Sequence, residues 1–303
     1  MKDTTSNRQD RAGLLAIIVV SVIFGLSFMF TKRAVNDVSV YSLLSWRFTL
    51  AFFILLLLRL FRVLKTNFRG RNVVPLLLLS AVYPVTYFLA EAAAISQVAS
   101  SEAGLFIATI PIATMVLAAL FLKEKTTWLQ KLSIFLSVGG VAVISLLNDA
   151  TDTTSKATGY LLLGVAVLAG SLFMVLSKHA AGFSSVEKTL VMMGSGSLFF
   201  SALALYEHAN AGTVGFWLTL PLKNVNFLIS LIYLAVITSA LAFFLQNVAI
   251  SRIGATRSAS FAPLTTLISI AAGALFMHEP LTPPMLVGAV MILAGVIGAN
   301  RHT

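Results

Sequence analysis

Apolar residues run along this chain in blocks of about 20, and the short stretches between them hold most of its charge. The blocks fall at 12–32, 41–60, 73–95, 102–122, 129–147, 158–178, 188–206, 226–247, 257–277 and 284–300. A block of that length crosses a hydrocarbon layer as a helix, because only a helix satisfies its own backbone where water is absent. The pattern predicts an all-α membrane protein with ten transmembrane helices. It is weakest between 206 and 226, where Gly215, Phe216 and Trp217 are expected to form a short interfacial segment.

The polar stretches orient the spans. With the N-terminus in the cytoplasm, sixteen of the 21 Lys and Arg fall in cytoplasmic stretches. Four fall outside (Lys32, Arg33, Lys156 and Lys223), and Arg47 lies within span 2. Positive charge favours the cytoplasmic side, so both termini are expected there and the number of spans is expected to be even. The block Ala12–Thr31 is too long for a signal-peptide core and reads as an uncleaved first span. The expected location is the plasma membrane.

The second half echoes the first. An offset of 155 carries Ala94-Ile95-Ser96 onto Ala249-Ile250-Ser251. It also carries Leu120-Phe121-Leu122-Lys123-Glu124 onto Leu275-Phe276-Met277-His278-Glu279, and Gly140-Val141 onto Gly295-Val296. Near the start of each half the offset is 146, pairing Lys32 with Lys178 and Ala34 with Ala180, so an insertion is expected near 207–224. The halves are read as 1–150 and 151–303, each with five helices. An odd number of spans makes the second repeat enter from the opposite side, as in transporters built from inverted repeats.

Composition narrows the function classes. Hydrophobic residues make up 58% of the chain and charged ones 11%, so lipid is its main solvent. The net charge of +10 serves orientation, and no basic face interleaved with aromatics suggests nucleic acid. With no Cys, thiolate metal sites and cysteine nucleophiles are excluded. The sequence holds no GxSxG, HExxH or P-loop, and its four His are scattered, so no enzyme activity, metal or cofactor is expected.

Ionisable groups inside spans are costly and usually functional. Tyr83, Tyr87 and Glu91 are spaced i, i+4, i+8 and share a helix face, with Pro84 beside them. Two phenols and a carboxylate in a row suit binding an amine or passing a proton. The other reading is that Glu91 sits solvated at the outer interface. Gln246 is its repeat counterpart, with Asn247 adjacent and Thr238 and Ser239 on the same face. These polar groups suit either an uncharged inner gate or helix–helix hydrogen bonding. Arg47 is expected to pair structurally, for instance with Glu91, or to attract an anion. Ser21, Gly25, Phe28 and Lys32 form a small and polar stripe on span 1, suited to a cavity lining or to close packing. Pro111 and Pro263 are expected to kink spans 4 and 9. Glu124 and Glu279 read as cap or loop ion-pair residues, and Ala294 and Gly298 as a packing pair.

Taken in order, these motifs resemble the EamA-type branch of the drug/metabolite transporter superfamily. In the first half the match rests on Phe24-Gly25-Leu26-Ser27-Phe28 followed by Lys32, on Trp46-Arg47-Phe48, on Glu91-x-x-Ala94-Ile95-x-x-Val98-Ala99-Ser100, and on Pro111, Lys123-Glu124 and Gly139-Gly140. In the second half it rests on Gln246-Asn247-x-Ala249-Ile250-x-x-Ile253-Gly254-Ala255, then Pro263, His278-Glu279-Pro280 and Gly295. The resemblance implies a ten-helix secondary exporter of small metabolites such as amino acids, amines or drug-like compounds. It implies a cavity lined by spans 1, 3, 4, 6, 8 and 9, with 5 and 10 peripheral. Family members usually carry Trp before the span 1 glycine, so Phe24 marks a substrate contact that differs here. Proton coupling through Glu91 and downhill facilitation both fit, as does a receptor or assembly protein on the same fold; the oligomeric state stays open. A single cysteine at position 65 in this cysteine-free chain is expected to react with membrane-impermeant maleimide only from the cytoplasmic side. Labelling from outside would invert the topology.

Overall fold

The computed structural model describes residues 2–121, 127–147, 153–176, 182–253, 258 and 261–300. Glu124, Lys178, Gly254 and Ala255, singled out above, lie outside the described residues. The described residues fold entirely into helices. In chain order these are α1 (Lys2–Asp37), α2 (Val40–Leu60), α3 (Val74–Ile95), α4 (Ser100–Ile107), α5 (Ile110–Phe121) and α6 (Trp128–Leu147). They continue with α7 (Thr153–Leu176), α8 (Ser185–Asn210), α9 (Val214–Lys223), α10 (Val225–Ile253), α11 (Ala262–Phe276) and α12 (Pro283–Asn300).

Among the described residues, seven stretches are long and apolar enough to cross a membrane: most of α1, then α2, α3, α4 with the start of α5, most of α7, α8 and α10. Lys131–Ile144, Leu264–Phe276 and Pro283–Gly298 are apolar but shorter. Large hydrophobic side chains such as Leu15, Phe53, Phe135, Leu161 and Leu222 face outward, as a lipid-facing belt requires.

The expected interfacial segment is the helix α9. Its Trp217 donates to Ser45 Oγ at 3.0 Å and stacks on His208, while Trp46 donates to the Trp217 carbonyl at 3.0 Å. Local caps fix the ends of α2 and α8. Ser39 Oγ accepts from the Ser42 amide, and Ser184 and Glu187 form a reciprocal capping box. The Glu187 carboxylate also accepts from the Asn67 amide and pairs with Arg71 at 3.2 Å, pinning the loop after α2 to the start of α8.

Packing follows the repeat. Helix α6 lies along its counterpart α12, and α2 along its counterpart α8. Helix α1 packs on α10 and α11; its counterpart α7 packs on the matching α3 and α5. Both α3 and α10 carry a stretch of wide π-type turns, at Ala81–Thr86 and Tyr233–Ala242. Shifted by 155 positions, the first falls inside the second, so the repeat extends to a local irregularity.

The prolines and small residues take particular places. Span 4 is interrupted at residues 108–109, between α4 and α5 and just before Pro111, as a proline in the span would cause. Pro111 and Pro263 each stand in the first turn of their helix, α5 or α11, where a missing N–H costs nothing. Ala294 is exposed, and the α6–α12 seam is held instead by glycines. A Cβ on Gly140 would stand 2.7 Å from the Gly288 carbonyl oxygen, and one on Gly298 2.7 Å from Ser133 Oγ. Gly140→Leu is therefore expected to cost about 1–3 kcal/mol, the usual penalty of overpacking, read as a lower melting temperature in detergent.

Candidate functional site

The site begins with a proline. Pro84 has no N–H and its ring crowds the preceding turn, so α3 cannot keep its ordinary ladder there. The backbone widens over Ala81–Thr86, and Tyr83 takes an extended conformation (φ −146°, ψ 106°). That turn sends Tyr83 inward, stacked on Phe173 of α7 at 4.5 Å and 4.4 Å from Tyr87. One turn further on, the Tyr87 hydroxyl donates to Glu91 Oε1 at 2.8 Å. Glu91 is only 6% exposed, so it is buried rather than solvated at an interface.

Together these side chains line a cavity of about 110 Å³ among α1, α2, α3, α4, α5, α7, α10 and α11. Phe24 and Phe28 of α1, Arg47 of α2, Phe88 of α3, and Thr238 and Gln246 of α10 complete its notable lining. Among the described residues, helices α6 and α12 contribute nothing to the lining. Helix α2 does contribute, which the six-span expectation missed, and it brings the only fixed positive charge on the cavity wall among the described residues.

Arg47 is 1% exposed. Its Nε donates to Ser239 Oγ at 2.9 Å, and its guanidinium lies 4.3 Å from the Phe88 ring centroid, a cation–π distance. No ion pair within 4.0 Å joins it to Glu91, so the expected direct pairing is replaced by a hydroxyl and a ring. Its Nη2 is buried without a hydrogen-bond partner among the described residues, and the same holds for Thr238 Oγ1.

Seven of the nine sequence-selected residues meet in this cavity: Phe24, Phe28, Arg47, Tyr83, Tyr87, Glu91 and Gln246. Ser239 and Asn247 do not line it. Ser239 holds Arg47 from behind, and Asn247 donates to Thr189 Oγ1 and to the Phe243 carbonyl at 3.2 and 3.0 Å. The wide turns explain the slip. Ideal α-geometry leaves both Thr238 and Ser239 near the face of Gln246, but π turns take an extra residue, which favours Thr238 for that place. Phe173 of α7 was missed because span 6 has no charged residue before Lys178 at its very end to draw attention. Among the described residues, no group of three His, Asp or Glu is placed to hold a metal.

Span 1 divides its stripe between uses. Ser21 and Phe28 line the cavity, while Gly25 lets α1 approach Ile268 and the Thr265 carbonyl of α11. Lys32 Nζ donates to the Ile95 and Val98 carbonyls at 2.8 and 2.9 Å, closing the C-terminal end of α3. The next helix start is closed from the other half. Glu279 accepts from the amides and hydroxyls of Ser100 and Ser101 at 2.6–3.0 Å, so the expected cap is real but serves α4 across the repeat.

The chain matches the EamA-like transporter family over residues 11–146 and again over 157–301. It belongs to that family. A Bacillus subtilis (strain 168) protein named "Uncharacterized transporter YcxC" is 36% identical over 293 residues, covering 96% of this chain and 94% of its own. A "Probable terminal-alkyne amino-acid exporter" of Streptantibioticus cattleyicolor is 27% identical over 207 residues, 68% of this chain and 66% of its own. A solved structure, described only as a crystal structure of protein, superposes with a TM-score of 0.61 at 16% identity over 95% of this chain and 98% of its own; the fold is shared. Family and apolar helices together make this EamA-like chain a multi-pass membrane protein, and the relatives' names point to transport rather than catalysis.

Removing the shared cap tests the geometry. Glu279→Ala leaves two serine amides and two hydroxyls without their acceptor, and is expected to cost about 1–3 kcal/mol. Glu279→Gln should fall in between, both measured by thermal unfolding of the purified protein.

Proposed function

We propose that this protein is a secondary transporter that exports small metabolites of the amino-acid, amine or drug-like class. In this reading it crosses the plasma membrane ten times as two inverted five-helix repeats, 1–150 and 151–303. Both termini lie in the cytoplasm. The observation that carries the reading is the cavity between the halves, where buried Glu91 and Arg47 face one space. Charges cost too much in a membrane interior to be kept there without use. Two halves with opposite orientation can rock about such a site and open it to each side in turn. The outward direction follows the printed name of the Streptantibioticus relative.

Coupling is assigned to Glu91. A carboxylate that binds a proton on one side and releases it on the other can exchange protons for substrate. Tyr87 holds Oε1 and so fixes the orientation of the acid.

Purified protein in liposomes should move at least one labelled compound from a panel of amino acids and amines, faster under a pH gradient. Glu91→Gln should drop gradient-driven accumulation to the level of downhill exchange while leaving that exchange intact. Transport fails as a reading if nothing in the panel moves, and proton coupling fails if the variant still answers the gradient in full.

A further inference from the structure

The lining of the cavity contains two kinds of unfinished business. On one side are donors without acceptors: Arg47 Nη2 and Thr238 Oγ1, both buried. On the other is an acid, Glu91, with Tyr87 on one oxygen. A buried hydrogen-bonding group without a partner costs free energy and is rare in a settled structure. Two of them on the wall of one cavity point to a ligand that supplies the missing acceptor.

We propose that the cavity binds a small zwitterion, its carboxylate held by Arg47 and Thr238 and its ammonium by Glu91. The inference rests on the transporter reading for what the site is used for, and on the geometry alone for what it binds.

Arg47 is set up for a carboxylate. Ser239 takes its Nε and Phe88 lies under its plane, so the guanidinium is held in place with Nη2 to spare. A planar guanidinium matches a carboxylate better than any other side chain does. Thr238 stands next to Ser239 on α10 and offers a hydroxyl to the same group. Glu91 answers the opposite charge, with the Tyr83 and Tyr87 rings beside it to receive an ammonium.

Charge balance decides between ligand classes. Among the described residues, no ion pair within 4.0 Å lets Arg47 and Glu91 cancel each other directly. A bare amine would leave the guanidinium unanswered, and a bare carboxylate would leave Glu91 unanswered. A ligand carrying both charges satisfies both, and an unpaired buried charge is the costly outcome. The volume of about 110 Å³ restricts the ligand to a small molecule. Phe24, Phe28, Phe88 and Phe173 favour an apolar side chain on it.

The test uses the full-length protein in detergent, with radiolabelled L-leucine and L-phenylalanine as probes. Leucinamide, which lacks the carboxylate, and 4-methylpentanoate, which lacks the amine, serve as competitors. Saturable binding of at least one amino acid is expected, displaced by the other amino acid but not by the two truncated compounds. Arg47→Gln should weaken it about tenfold or more, as loss of a charged hydrogen bond does. Thr238→Val should weaken it less, and Thr238→Ser should restore it; these two keep the test open if Arg47→Gln does not fold. The proposal is overturned if neither amino acid binds, if either truncated compound competes as well as leucine, or if Thr238→Val and any folded Arg47→Gln bind normally. The two readings fail separately. Amines that cross liposomes while zwitterions neither bind nor cross would sink this proposal and leave transport standing. Zwitterions that bind without crossing would do the reverse.

Discussion

Inside a lipid layer no water completes a hydrogen bond, so the polar groups of this chain find partners in their own helix, as Ser80 does on the Leu76 carbonyl, or on a neighbouring one. That constraint orders most of what the structure contains. Tyr233 of α10 donates to the Ile23 carbonyl of α1 at 2.9 Å. Lys32 answers the carbonyls at the end of α3, and Glu279 answers the amides at the start of α4. None of these partners is local, and each ties one helix to another that the chain reaches only much later. The helices are assembled less by apolar attraction, which lipid competes with, than by completing one another's polar groups and by the glycine seam between α6 and α12.

Against that background the cavity stands out by what is left incomplete. Among the described residues three buried side-chain atoms lack a hydrogen-bond partner, and two of them, Arg47 Nη2 and Thr238 Oγ1, belong to its wall. Pro84 and the wide turns break the ladder of α3, and the matching turns of α10 shift its register. The result places a guanidinium, an acid and a spare hydroxyl around one small space lined with rings. Preorganisation of this sort is what a binding site gains from a stiff aromatic frame: the groups are already placed when a ligand arrives.

Much of this was legible in the residues. Hydropathy marks the apolar stretches because lipid imposes a length on them. The Tyr83–Tyr87–Glu91 row is readable because side chains four apart share a helix face. The offset of 155 between the halves is readable as plain identity. What escaped was set by geometry that no single stretch encodes. α-Periodicity puts both Thr238 and Ser239 on the face of Gln246, and only the wide turns decide that Thr238 alone reaches the cavity wall. Asn247 turns to Thr189 of α8 because its neighbour Gln246 already occupies the inward face. Glu279 was readable as a cap, yet the helix it caps begins 179 positions earlier, a distance over which sequence carries no signal of contact.

Glu91 stands where the other half has Gln246, and both line the same cavity. An assembly of two identical five-helix subunits would present every residue twice, because symmetry copies each side chain. It would bring two acids to the cavity or none. A single acid opposite a single guanidinium, as among the described residues here, needs halves that are free to diverge, and one covalently joined chain supplies them. Linking the halves into one polypeptide is therefore more than a convenience of assembly here, since it permits a lopsided arrangement of charge that no symmetric pair could display.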